Sequence, residues 1–283
     1  MAIRTVRSAG PAVMALHIAG SAWLVQETSM FLDVNGVRLH ALVFGDGPRT
    51  LLAVGGWTGS WEVWEEPVAQ LTARGWRCVV YDHRGSGESP VDPALISVEA
   101  MVDDVAGVLD ALQVERCILA GESQGGAIAQ YAAVRSPQRF DGLVLSAPAR
   151  TGRSEGGSAF ADACRSDYPA AVDQFVSACF PEPDSDHFKR WGRNILLRAE
   201  PDQAARIIEM WRDEAVPDVD PRRIDIPTLI LHGTADVIVP IGGSRRLAEL
   251  LPDAEIVEFE GSGHVPTMTR PNDVVDAILR RFP

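Results

Sequence analysis

Gly121-Glu122-Ser123-Gln124-Gly125 is the stretch that decides how this chain folds. The apolar run Cys117-Ile118-Leu119-Ala120 precedes it, and the small-residue helical pattern Ala127-Ile128-Ala129-Gln130-Tyr131-Ala132-Ala133 follows it. That is strand, sharp turn, helix, with a serine at the apex. So tight a turn forces the serine into strained backbone geometry. It needs neighbours without side chains, so that the hydroxyl stands clear and the helix packs close to the strand. In a chain with 25 glycines the pattern alone is common, and its surroundings must carry the inference.

The surroundings alternate. Phe31 to Val34 and Val37 to Phe44 read as strands joined by Asn35-Gly36, a dipeptide that favours a tight hairpin. Further strands are expected at Thr50 to Val54, Arg77 to Tyr81, Cys117 to Ala120, Phe140 to Leu145, Thr228 to Leu231 and Ala254 to Phe259. Helical patterns lie between them. One runs from Ser97 to Gln113, where Val98, Met101, Val102, Val105, Val108 and Leu109 share a face behind a Ser97 N-cap. This predicts an α/β fold: a mostly parallel eight-stranded sheet with helices on both faces and the antiparallel hairpin at one edge.

Between Ala149 and Arg223 the alternation stops. Helix-like segments are expected near Phe160 to Phe180, Asp186 to Arg198 and Asp202 to Asp213. A helical insertion after a sheet strand sits at the C-terminal edge of the strands, where ligands bind in such sheets, and it reads as a lid. The expected organisation is a core of residues 30–149 and 224–283, a helical lid of 150–223, and an N-terminal extension of 1–29 that is disordered or mis-started. Arg4, Arg7 and the stretch Ala12 to Val25 vaguely resemble a signal peptide, but His17 interrupts it and no run reaches membrane-spanning length. The expected location is cytoplasmic, with export as the alternative if residues 1–29 act as a signal.

A serine nucleophile needs a base to take its proton and an acid to orient that base. Asp236 follows the strand ending Leu231-His232, and His264 lies in Gly261-Ser262-Gly263-His264-Val265-Pro266, past the last strand. Three strand ends thus present Ser123, Asp236 and His264 in that chain order. Asp225 also borders a strand, but at its start, the wrong end of the sheet. Arg84 reads as structural, pairing or bonding within its loop, and His83 and His232 read as packing or hydrogen-bonding residues. Glu122 reads as a solvated turn residue, with tuning of the site's charge as the alternative.

From Phe31 to Pro283 the chain resembles the α/β-hydrolase-fold proteins, in the branch of small lidded serine esterases, lactonases and cofactor-free haloperoxidase-like members. Tyr81-Asp82-His83-Arg84-Gly85-Ser86-Gly87-Glu88-Ser89 resembles that family's loop after the fourth strand, and Gly261 to Pro266 its terminal histidine loop. The resemblance implies Trp57 as one backbone donor of an oxyanion hole, beside the amide of Gln124. Gly55 stands where many members carry histidine, which alters loop packing but spares a backbone donor. Gly56, Trp57, Trp191 and Trp211 are candidates for lining the pocket.

The expected activity is hydrolysis of a small carboxylic ester or lactone through an acyl-enzyme on Ser123, without cofactor or metal. Alternatives are the same triad used for perhydrolysis, carbon–carbon bond hydrolysis or acyl transfer, and, in a different class, a ligand receptor of slow turnover. A formal net charge of −13 speaks against nucleic acid or anionic membrane as a partner. Cys78, Cys117, Cys164 and Cys179 show no metal-ligand spacing and read as buried thiols.

Overall fold

The computed structural model describes residues 12–18, 21–154, 156–212 and 216–283. Among them the strands are β1 Ala12–Ile18, β2 Ser21–Val34, β3 Val37–Phe44, β4 Arg49–Val54, β5 Trp76–Tyr81, β6 Cys117–Glu122, β7 Phe140–Ser146, β8 Thr228–Gly233 and β9 Ala254–Phe259. They form one sheet in the order β1-β2-β3-β5-β4-β6-β7-β8-β9. From β5 to β9 every neighbour is parallel, while β1, β2 and β3 join antiparallel at one edge. Asn35 and Gly36 turn the β2–β3 hairpin at φ 46° and 80°, the left-handed conformations a two-residue hairpin turn requires.

The eight expected strands are β2 to β9; the ninth corrects the expectation for the extension. Residues 12–18 and 21–29 are strands rather than a disordered tail, and Glu27 to Ser29 pair with Leu42 to Phe44 of β3. A strand pairs through its backbone, so the polar run Gln26-Glu27-Thr28-Ser29 could extend β2 without any apolar signal. Residues 1–11 and 19–20 lie outside the described residues.

The helices are α1 Glu65–Thr72, α2 Val98–Ala111, α3 Gln124–Arg135, α4 Ser158–Ser166, α5 Tyr168–Cys179, α6 Asp186–Leu196, α7 Pro201–Glu209, α8 Gly242–Leu250, α9 Pro266–Thr269 and α10 Pro271–Arg281. α1 and α10 pack together, and so do α2 and α3. α4 to α7 all lie in the insertion. The single helix expected over Phe160 to Phe180 is two, broken at Asp167, whose side chain accepts from the Ala170 amide and caps α5 with Pro169 in its first turn. No helix among the described residues is long and apolar enough to cross a membrane. All four cysteines are buried and free.

α2 shows how the core is tied to the loops. Its Ser97 cap accepts from the Ala100 amide at 3.1 Å, and its apolar stripe is buried as expected. On that stripe stands Asp104, fully buried, holding Arg84 through Nε at 2.6 Å and Nη2 at 2.9 Å. Arg84 also donates to the Leu95 and Asn35 carbonyls, so one guanidinium pins the β5 loop, the hairpin and α2. Breaking a buried pair strands the remaining charge. Asp104→Ala should lower stability by about 3–5 kcal/mol, read as a fall in the urea midpoint. A change under about 1 kcal/mol would show that Arg84 reaches water instead.

Candidate active site

The sheet aligns Val54 with Gly121, and Glu122 with Ser146, so the ends of β4, β6 and β7 meet at one edge. Ser123 stands there between β6 and α3 at φ 52° and ψ −117°, with its amide donating to the Ser146 carbonyl at 2.9 Å. The turn closes because Gly121 and Gly125 have no side chains: a Cβ on Gly121 would strike the Gly125 carbonyl, and one on Gly125 the Gly55 carbonyl. The Ser123 hydroxyl does not cap α3. It lies instead 2.9 Å from His264 Nε2.

His264 and Asp236 come from the loops after β9 and β8. Asp236 Oδ2 is 2.7 Å from His264 Nδ1, and its Oδ1 accepts from the Ile238 and Val239 amides at 2.8 and 2.9 Å. The carboxylate is thereby aimed before the imidazole arrives. His232 Nε2 lies 3.2 Å from the same Oδ2 and 2.8 Å from the Val239 carbonyl. The amide of His264 donates to the Cys179 carbonyl at the end of α5, at 2.9 Å. Such a chain can do one thing well: move a proton from hydroxyl to imidazole while the carboxylate steadies the charge that results. Among the described residues, neither the Trp57 nor the Gln124 amide has an acceptor within the protein.

The family described as alpha/beta hydrolase fold matches residues 49–220, more than half of the chain. The chain belongs to this family. A second, described as TAP-like protein, matches residues 204–282. AB hydrolase superfamily protein YisY of Bacillus subtilis is 31% identical over 244 residues, covering 81% of this chain and 89% of its own. The pimeloyl-[acyl-carrier protein] methyl ester esterase of Nitrosomonas europaea is 28% identical over 250 residues, covering 84% and 96%. Among solved structures, the enol-lactonase from Burkholderia xenovorans LB400 superposes with a TM-score of 0.81 at 24% identity, over 89% of this chain and 98% of that one. Membership of the α/β-hydrolase family supports a hydrolase role.

In this α/β-hydrolase chain the electrostatics of Asp236 and His264 agree with their geometry. Burial works against the charge of Asp236, yet hydrogen bonds from His232 and His264 and the His264 charge hold its carboxyl well below the usual carboxylate range. Burial likewise opposes an imidazolium at His264, but the Asp236 hydrogen bond and charge, with Glu122 behind them, raise its pKa above the ordinary value.

Ser123 and His264 open into a cavity of about 40 Å³ whose wall includes Phe175, Val176, Ile195, Leu196 and Met268. Gly56 and Trp57 line it; Trp191 and Trp211 do not. On α6 the lining residues are Gly192, Ile195 and Leu196, and Trp191 sits roughly a quarter-turn around the helix from that stripe. Trp211 faces a separate cleft of about 490 Å³, where it meets Gln124, Arg150 and Ile208. The Trp57 indole is held by the insertion, donating to the Ala204 carbonyl at 3.0 Å and lying against Phe160 and Phe175 at 4.9 and 4.8 Å.

Glu122 also departs from expectation. It is buried rather than solvated, and it lines the same cavity. His232 takes the hydrogen-bonding option of its expectation, bonding the carboxylate that lies 2.7 Å from His264 Nδ1. Its signal was present in the spacing of four between His232 and Asp236, both at the end of one strand. Among the described residues no cluster of His, Cys, Asp and Glu could hold a metal ion.

Proposed function

We propose that this chain hydrolyses small carboxylic esters, lactones included, through an acyl-enzyme on Ser123. The observation that carries the reading is the chain Ser123 Oγ, His264 Nε2 and Nδ1, Asp236 Oδ2, with links of 2.9 and 2.7 Å, at the apex of a strained turn that opens on an apolar cavity. The ester chemistry named for the Nitrosomonas relative points the same way.

His264 Nε2 takes the Ser123 proton as Oγ bonds to the substrate carbonyl carbon, and the carbonyl π pair moves onto oxygen. The Trp57 and Gln124 amides receive that oxyanion, with the α3 N-terminus adding a favourable dipole. Collapse breaks the bond to the alcohol, which leaves with the proton from Nε2. Water then attacks the acyl carbon, gives its proton to Nε2, and releases the acid as Oγ recovers that proton. Asp236 keeps the Nδ1–H tautomer throughout and stabilises the imidazolium. Residues 150–223 act as the lid: α5 and α6 wall the cavity, which leaves room for a short acyl chain.

The test is turnover of p-nitrophenyl acetate, butyrate and octanoate beside a lactone ring-size series, with labelling by a fluorophosphonate. Short acyl chains should turn over fastest. Activity should fall as pH falls, because His264 must be neutral to accept a proton, and the limb should lie above the ordinary histidine value of about 6.5. No turnover and no labelling would leave a binding protein; a rate flat down to about pH 5 would remove histidine as the base.

A further inference from the structure

We infer that Glu122 is a second carboxylate on the site's imidazole, acting at Nε2 as Asp236 acts at Nδ1, so that it both stabilises the imidazolium and sets the pH at which the site switches off. This rests on the hydrolase reading above, whose steps make no use of Glu122.

The geometry is specific. Glu122 ends β6 and is 4% exposed. Its Oε2 accepts from the Gly56 amide at 2.9 Å, and its Oε1 lies 3.5 Å from His264 Nε2, the nitrogen that carries the proton during turnover. The slot for the carboxyl depends on Gly56, where a Cβ would come within 2.6 Å of Oε2 and 2.7 Å of the Ser123 Cβ. Among the described residues no lysine or arginine lines the cavity, so the imidazolium is the cation there that can answer the carboxylate.

The other ionisable groups facing the pair are few. Asp236 lies on Nδ1, and His232 sits behind Asp236. From the end of α5, Cys179 lines the cavity as a neutral thiol, pushed well above its ordinary pKa by burial and by the Glu122 and Asp236 charges. Glu182 accepts from the Gly263 amide and the Ser262 hydroxyl, on the loop that carries His264. Burial raises the Glu122 carboxyl to about 7, against the pull of His264 and of the Gly56 hydrogen bond, and at 3.5 Å the carboxyl and the imidazole titrate as a coupled pair. Two states follow at low pH. A proton on His264 turns Nε2–H towards Glu122 and leaves Ser123 without an acceptor. A proton on Glu122 leaves a neutral base without its second counter-charge.

Glu122→Gln separates charge from shape, because its amide oxygen still accepts from Gly56. The acidic limb of kcat/KM on p-nitrophenyl acetate should move to lower pH by roughly one unit, and the plateau kcat should drop about tenfold. Glu122→Asp keeps the charge but retracts it, and its limb should lie between the other two. A Gln limb coincident with wild type, whatever the plateau, overturns the inference and leaves Glu122 as a buttress for Gly56. Should Glu122→Gln fail to fold, NMR titration of the His264 ring in Ser123→Ala carries the same test: two coupled steps support it, and one step overturns it. Failure of the hydrolase reading is seen separately, as wild type that neither turns over nor labels.

Discussion

Ser123→Ala should lower kcat for p-nitrophenyl acetate by roughly 10⁴- to 10⁶-fold and abolish fluorophosphonate labelling, with the cavity still binding short esters. The loss is this large because in the proposed mechanism Oγ is the bond-forming atom, and no other hydroxyl is described beside His264 Nε2. The fold should tolerate the change, since among the described residues alanine removes only an oxygen whose partner is that imidazole. Steady-state and labelling measurements on a variant with an unshifted melting temperature decide the matter. Residual turnover within tenfold of wild type would mean that another group attacks. The residue expected to persist after the substitution, about 10³-fold over water, comes from the Trp57 and Gln124 amides and from binding, which alanine leaves alone.

Asp236→Asn should cost about 10⁴-fold in kcat with little change in KM. The reason is tautomeric. An Oδ2 at 2.7 Å from His264 Nδ1 demands Nδ1–H and leaves Nε2 as a lone pair facing Ser123. An amide NH₂ in that place reverses the demand: Nδ1 accepts, Nε2 carries hydrogen, and the serine meets a donor. His232, 3.2 Å from Oδ2, reinforces the carboxylate in wild type and does not rescue the amide. The signature is a fall in kcat alone, with any remaining acidic limb moved to lower pH, because the larger of the two negative partners that raise the His264 pKa is gone. Near-normal kcat would show that another acid orients the imidazole.

Much of this was legible in the chain, and the reasons are local. β6, the turn and α3 were readable because glycines at 121 and 125 are demanded by the backbone itself, and because an apolar run changes period at the serine. Asp236 and His264 were readable by position, each just past a strand. β1 and the first part of β2 were not, since edge pairing needs no apolar alternation. Trp191 and Trp211 were misplaced because a large apolar residue on an insertion helix marks a buried face without saying which cavity that face meets. Glu122 was hidden for another reason: a carboxylate in a turn usually faces water, and only the approach of the β4 loop to β6 encloses this one. Side chains bound by their own backbone are written into sequence; those defined by distant neighbours are not.

Residue 123 sits at φ 52° and ψ −117°, a conformation that L-amino acids rarely adopt. Holding one there costs roughly 1–3 kcal/mol, against about 5–15 kcal/mol of stability for an entire domain. Glycine would rest there more easily than serine, and glycine has no hydroxyl. Fold and chemistry therefore compete for a single position. A population of variants selected for heat resistance alone would drift towards the residue the backbone prefers and lose the proposed nucleophile while its architecture improved.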